Sequence, residues 1–238
     1  MIRKIFNFFA AVCPGCLSEN VSAAGLLCQQ CLEKIDFFDQ KYRCPGCGAE
    51  NHGIADLCPQ CLTEPSRPWK NAFALFAYRH KGRDLIRKFK FANHPELARP
   101  LGKLAAGLIK NSNCNYDLII PVPLNLIRSF QRGYNQSALL AKIISKECNI
   151  PVASPLKKRL SMHHQATLNR SKRHSAMKNA FYTNSNTICG KHLLLVDDVM
   201  TTGSTLSAAA KTLLAAGAAD VDVIVIARSL SFTAAALK

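Results

Sequence analysis

The chain has 238 residues, 48% of them apolar, enough for one medium domain with a real core plus a small module. That content excludes a disordered chain, and no apolar run approaches the roughly 18 residues that span a bilayer, which excludes a transmembrane helix. The net charge of +16 is uneven: residues 1–62 carry five Lys/Arg against six Asp/Glu, whereas residues 63–238 carry 26 against nine, a net +17. Such a field attracts polyanions, so nucleic acid, an anionic membrane surface and phosphorylated small molecules are all fitting partners.

In chain order, Ile2 to Val12 is basic and then apolar, like the start of a signal peptide. Its apolar part is short and interrupted by Asn7, and Val12 stands where a small cleavage residue belongs. Retention in the cytoplasm is therefore expected, with a peripheral apolar anchor at the inner membrane face as the other reading. Next come four C-x-x-C pairs, Cys13/Cys16, Cys28/Cys31, Cys44/Cys47 and Cys58/Cys61, separated by 11, 12 and 10 residues. Two thiolates two residues apart can grip one metal from a tight turn, and Pro14-Gly15 and Pro45-Gly46 supply the turn chemistry. Four pairs make two closed, structural zinc sites of four cysteines each. Sequential pairing is expected because each site then closes a short loop, and interleaved pairing stays open. His52 is read as a surface residue, and Cys114, Cys148 and Cys189 as buried thiols or incidental residues.

Arg67-Pro68-Trp69 marks the exit from this module, giving a zinc-ribbon module over residues 1–65 and a second domain over 66–238. Ala72 to Tyr78 reads as its first strand, and His80-Lys81-Gly82 as a turn. A helix from Arg83 to Phe91 follows, apolar at Leu85, Ile86 and Phe89 and cationic at Arg83, Arg87 and Lys90. Leu97, Leu101, Leu104 and Leu108 define the next helix. Asp117 to Ile120 is a second apolar strand, which ends in Pro121-Val122-Pro123 and is followed by Arg128 and Arg132-Gly133-Tyr134-Asn135-Gln136. Leu156 to Phe181 is long, polar and basic without clear periodicity, as functional loops and linkers are.

The most informative run is His192 to Leu206. His192 to Val196 reads as a buried strand, and Leu206, Ala210, Leu213 and Leu214 recur at helical spacing, so Thr201 to Thr205 forms the strand-to-helix turn. A helix start offers unpaired N–H groups and a partial positive charge to an anion. The hydroxyls of Thr201, Thr202, Ser204 and Thr205 add donors, and Gly203 allows close backbone approach. Asp197 and Asp198 would repel a phosphate unless they face ribose hydroxyls or a hydrated Mg²⁺. The last strand is read at Asp222 to Ala227.

This run resembles the phosphoribosyl pyrophosphate (PRPP) signature of type I phosphoribosyltransferases: apolar strand, two acids, then Thr-Thr-Gly-Ser/Thr-Thr. The resemblance implies an open, mostly parallel α/β sheet flanked by helices. It also implies that Asp197 and Asp198 address the ribose hydroxyls, and that the loop from Val199 and Met200 through Thr205 holds the 5-phosphate. Pro121, Val122, Pro123, Arg128 and Arg132 would then contact pyrophosphate. Together with the four cysteine pairs and Arg-Gly-Tyr-Asn-Gln, the chain resembles the ComF family (ComFC- and GntX-like proteins) over essentially its whole length. Arg159, Gln165, Leu168, Arg170, Arg173, Asn179 and Phe181 match that family's pattern in the basic stretch, and Arg159 and Arg170 could close over pyrophosphate. An intracellular enzyme of this kind keeps its thiols reduced, which sets zinc above a disulfide framework.

The implied function is a PRPP-binding competence factor that binds single-stranded DNA during uptake, with two structural zinc ions, Mg²⁺ carried by PRPP, and DNA-uptake or recombination proteins as partners. Phe89, Phe91, Phe130, Tyr134 and Tyr182 lie among or beside basic residues, where bases could stack, with core packing the expected role of most of them. Two alternatives stay open: a nucleobase phosphoribosyltransferase, and a PRPP sensor docking a protein partner. Turnover is not established by the sequence. Only eleven residues follow the last strand, so a C-terminal base-selecting hood is not expected.

Overall fold

A computed structural model describes residues 11–18, 20, 21, 26–53, 55–63, 67–124, 133–159, 180–184 and 186–230. The order is β1 (Ala11–Val12), β2 (Asn20–Val21), α1 (Gln29–Glu33), a 3-10 turn (Gln40–Tyr42), α2 (Pro59–Thr63), β3 (Ala72–Ala77) and α3 (His80–Phe91). It continues through a 3-10 turn (Pro95–Leu97), α4 (Ala98–Lys110), β4 (Leu118–Pro121), α5 (Gln136–Cys148), β5 (Lys157–Lys158) and β6 (Phe181–Tyr182). A 3-10 turn (Asn186–Ile188), β7 (His192–Met200), α6 (Ser204–Ala215) and β8 (Asp220–Arg228) complete it.

Four strands form a parallel sheet in the order β3-β8-β7-β4. Their sequences are continuous apolar runs because both faces are covered, and alternate side chains feed two cores. Phe73, Leu75, Ile119, Leu194, Val196, Ile224 and Ile226 join one core, with α3, α4 and α5. Ala72, Ala74, Leu118, Ile120, Leu193, Leu195, Val221, Val223 and Val225 join the other, with α6. The cysteine module divides between them: Cys13, Cys28 and Cys31 belong to the first core, Cys44, Cys47 and Cys61 to the second.

The segment between the two cysteine clusters covers the exposed edge of β3. The Phe38 N–H donates to Leu75 O at 2.9 Å, the Ala77 N–H to Asp36 O at 3.0 Å, and the Arg43 guanidinium to Ala72 O at 2.7 Å. An unpaired edge is thereby protected from adding a foreign strand.

Several boundaries differ from expectation. His80 to Gly82 opens α3 instead of turning the chain, because the helix starts hard against β3: a Cβ on Gly82 would meet the Phe76 ring at 2.7 Å. Leu97 and Leu101 are buried as expected, but Leu104 and Leu108 are only half-buried, and Ala98, Pro100, Gly102, Ala105, Ala106 and Ile109 are the other buried residues of α4. Small residues win that face because α5 approaches so closely that a Cβ on Gly102 would meet Ile143 at 2.7 Å. β4 includes Pro121 and leaves Asp117 outside, where its carboxylate accepts from the His192 N–H at 2.8 Å. β7 continues through both aspartates to Met200, and α6 begins at Ser204, which shortens the turn to Thr201–Gly203. β8 reaches Arg228, one residue beyond the expected end.

Candidate functional site

Parallel strands place ligands at their C-terminal ends, and here β7 delivers Asp197 and Asp198 to that edge. The Asp197 Oδ1 accepts from Ser137 Oγ at 2.8 Å and from the Asp198 N–H at 2.9 Å. Asp198 is buried and its Oδ1 lies 2.7 Å from Lys90 Nζ. One ammonium thus faces two adjacent carboxylates. Desolvation, reinforced by the neighbouring Asp198 charge and opposed by the Ser137 hydrogen bond, pushes the Asp197 carboxyl up to about 7. A pair so placed favours partners that donate hydrogen bonds or bring positive charge, which sugar hydroxyls and a hydrated cation both do.

The Tyr134-Asn135-Gln136 motif assembles this cluster instead of lining it. The Asn135 side chain caps α5 by accepting from the Ser137 N–H at 3.0 Å, and its amide donates to Val122 O at 3.2 Å. Tyr134 and the fully buried Gln136 both donate to Phe89 O. These contacts fasten the start of α5, which carries Ser137, to the end of α3, which carries Lys90. Lys90 therefore belongs to the site, whereas Arg83 and Arg87 of the cationic face are exposed.

The loop after β7 is shaped by Gly203, whose φ of 76° few other residues tolerate. Thr202 Oγ1 and Ser204 Oγ lie 2.5 Å apart, and the Ser204 N–H donates to Thr202 Oγ1 at 3.4 Å. Thr201 and Thr202 are exposed, Ser204 and Thr205 half-buried, while Met200 is buried and Val199 packs on the first core. The loop carbonyls are tied from behind: Arg228 Nη1 donates to Met200 O at 3.2 Å and to Thr201 O, and Arg67 Nη1 donates to Thr202 O at 2.7 Å. No sequence pattern points to Arg67, Arg228 or Ser137 as part of this site.

Pro121 and Val122 lie beside β7 and are buried, with the Val122 N–H bonded to Val196 O at 2.9 Å and Pro123 half-buried next to them. The amide and carbonyl of Val122 are therefore both engaged, with β7 and with Asn135. Arg159 follows β5, which pairs antiparallel with β6, and its guanidinium lies 5.7 Å from the Tyr182 ring centre. Arg128, Arg132 and Arg170 fall outside the described residues, as do Phe130, Gln165, Leu168, Arg173 and Asn179. Of the aromatic residues, Phe89 is core, Tyr134 stacks on it at 5.9 Å, and Phe91 is 69% exposed next to Lys90.

The cysteines pair sequentially, as expected: Cys13, Cys16, Cys28 and Cys31 form one cluster, Cys44, Cys47, Cys58 and Cys61 the other. Within each, the sulfurs lie within 4.8 Å of one another. Cys13 and Cys31 stand 3.8 Å apart, Cys16 and Cys28 3.8 Å, and Cys47 and Cys58 3.7 Å. Zn–S bonds of about 2.3 Å at tetrahedral angles require sulfurs about 3.8 Å apart, so both clusters fit zinc. Backbone N–H groups also point at the sulfurs, Cys28 at Cys13 Sγ (3.2 Å) and Cys58 at Cys44 Sγ (3.3 Å), as thiolates require. Burial, reinforced by its side-chain hydrogen bonds with Cys28 and Cys13, pushes the Cys31 thiol up to about 12. His52 is exposed and paired with Glu50. Cys114 and Cys148 are half-buried, and Cys189 is exposed.

Known proteins agree with this architecture. A family model described as "Phosphoribosyl transferase domain" matches residues 90–235. "Competence protein F" of Haemophilus influenzae is 33% identical over 234 residues, covering 94% of this chain and 100% of that protein. "DNA utilization protein YhgH" of Escherichia coli K12 is 32% identical over 197 residues, covering 80% and 86%. "Competence protein ComFC" of Bacillus subtilis is 25% identical, covering 94% and 97%. Two four-cysteine clusters fit for a double zinc ribbon precede a parallel sheet whose central strand delivers the acidic pair and hydroxyl-rich loop of a type I phosphoribosyltransferase; the chain belongs to the ComF family.

Proposed function

We propose that the chain is a competence factor that binds PRPP at the end of β7 and single-stranded DNA across its basic surface. The observation that carries this reading is the joining of Asp197 and Asp198 to the Thr201–Thr205 loop at the strand edge where ligands of such sheets bind. The 5-phosphate would rest on the start of α6, where helix N–H groups and hydroxyls converge. The ribose hydroxyls would donate to Asp197 and Asp198, with Ser137 and Lys90 holding the two carboxylates in place. Magnesium arriving with PRPP would neutralise pyrophosphate charge. The relatives' names support a role in competence and DNA use, and the net +17 of residues 63–238 supports a polyanionic partner.

Domain limits of 1–65 and 66–238, two bound zinc ions and a location in the cytoplasm or at the inner membrane face go with this reading. Among the described residues no helix is long and apolar enough to cross a membrane. Labelled single-stranded oligonucleotide, titrated with and without PRPP and Mg²⁺, is the deciding measurement. Binding that weakens with salt at a slope of roughly −0.7 per neutralised phosphate is expected, and no binding at low salt overturns the DNA reading. Pyrophosphate release only on addition of one nucleobase would instead establish a phosphoribosyltransferase. A partner protein whose docking is lost together with PRPP binding in Asp197→Asn and Asp198→Asn would mark a sensor.

A further inference from the structure

We propose that Arg228 and Arg67 are positioning residues for the phosphate loop, and that the second zinc ribbon sets that loop's geometry through them; this rests on reading the loop as the PRPP site. Arg228 is fully buried at the end of β8. Its Nη1 donates to the carbonyls of Met200, Thr201 and Ser229, and its Nη2 donates to Gln60 Oε1 at 3.0 Å. All of these acceptors are neutral oxygens. Burying a full cation among neutral groups is costly, and its planar fork is the feature that can hold several carbonyls at once.

Gln60 precedes the metal-ligating Cys61 on α2, so this arginine connects the second ribbon directly to the loop. A separate connection runs through the linker. Trp69 Nε1 donates to the carbonyl of Gly46, between ligands Cys44 and Cys47, at 3.0 Å. The Trp69 ring stands 5.5 Å from the Arg67 guanidinium carbon, and Arg67 reaches Thr202 O. A Cβ built on Gly203 would meet Arg67 Nη1 at 2.5 Å and Trp69 Cη2 at 3.5 Å, so both side chains lie against the loop.

Peptide planarity carries these ties to the binding face. In a trans peptide the N–H points opposite to the carbonyl of the preceding residue. Tying the carbonyls of Met200, Thr201 and Thr202 to the arginines therefore turns the N–H groups of Thr201, Thr202 and Gly203 away from them, toward the face where an anion would bind. The guanidinium charges behind the loop add a field that favours the same anion.

The test uses the full chain with its metal. Backbone hydrogen–deuterium exchange over residues 193–206 and PRPP affinity with Mg²⁺ are measured for Gln60→Ala, Arg67→Ala and Arg228→Lys, against Gln29→Ala, whose side chain bonds Glu33 on the first ribbon. Faster exchange confined to the segment after Asp198, with affinity about three- to tenfold weaker in each brace variant, is expected; Gln29→Ala should match wild type. Wild-type exchange and affinity in Gln60→Ala and Arg67→Ala overturn the brace, whatever Arg228→Lys does to folding. Wild-type protein that fails to bind PRPP, with exchange still faster in those two variants, instead removes the ligand reading and leaves the brace standing.

Discussion

The two zinc ribbons have nearly the same local sequence plan yet face different work. The first docks on α3: Lys81 and Lys88 both donate to Gly15 O, at 3.1 and 3.0 Å, and its cysteines enter the core beneath α3 and α4. The second docks beside the Thr201–Thr205 loop, through Gln60 to Arg228 and through Gly46 to Trp69. A zinc knuckle is thus a rigid part whose role is decided by what its non-ligand residues touch. Lysines bind the first ribbon to a helix flank, whereas a glutamine and a carbonyl connect the second to Arg228 and Trp69 beside the Thr201–Thr205 loop.

The largest expected effect comes from metal removal. Metal binding supplies on the order of 10 kcal/mol to small zinc modules, so a chelator should unfold both ribbons, seen as loss of protection over residues 13–61. Because the second ribbon backs the loop, PRPP affinity should fall in step with release of the second metal, followed by a thiol-reactive chromophore. Affinity that tracks the first metal alone would break the comparison.

Gly203→Ala comes next. A Cβ at φ 76° that also strikes Arg67 costs about 1–3 kcal/mol. PRPP binding should weaken much more than thermal stability falls, as measured by calorimetry and by ligand titration.

The pH response is smaller and isolates the carboxylates from either ribbon. Asp197 has a folded pKa of about 7, above its unfolded value, so the folded state keeps a proton that the unfolded chain releases. Its contribution to the stability of the ligand-free protein is therefore full below about pH 4 and declines as pH rises toward 7. A ligand that needs the ionised pair must expel that proton, so affinity should tighten, approaching tenfold per pH unit below about 7 and levelling above it. Asp197→Asn should flatten the profile.

The smallest effect is expected for Lys81→Ala combined with Lys88→Ala. Losing two hydrogen bonds to Gly15 O should lower stability by about 1–2 kcal/mol in denaturant unfolding, with PRPP affinity unchanged. A matching loss of affinity would mean that the two ribbons do not divide their work.

Much of this arrangement is legible in the residue order. The Cys-x-x-Cys spacing predicts sequential pairing because short loops close most cheaply. The apolar run ending in Asp197 and Asp198 and the helical period beginning at Leu206 bracket the loop from both sides. Individual side chains are where expectation and structure part. Lys90 belongs by sequence to a cationic face, yet its stem runs inward beside Phe89 and its ammonium meets Asp198. His80 to Gly82 reads as a turn because glycine breaks helices in solution, yet Phe76 leaves room for nothing larger.

The sequence by itself determined the local pieces: two metal-binding knuckles, buried parallel strands, and a hydroxyl-rich loop at a helix start. Each follows from spacing and periodicity within about a dozen residues. Tertiary structure alone decided which pieces serve one another, bringing Gln60 to Arg228 across 168 positions, Arg67 to Thr202 across 135, and Ser137 to Asp197 across 60. No local pattern encodes such pairings, because they arise only when the sheet order β3-β8-β7-β4 places the ends of distant strands at one edge and the second ribbon packs behind them.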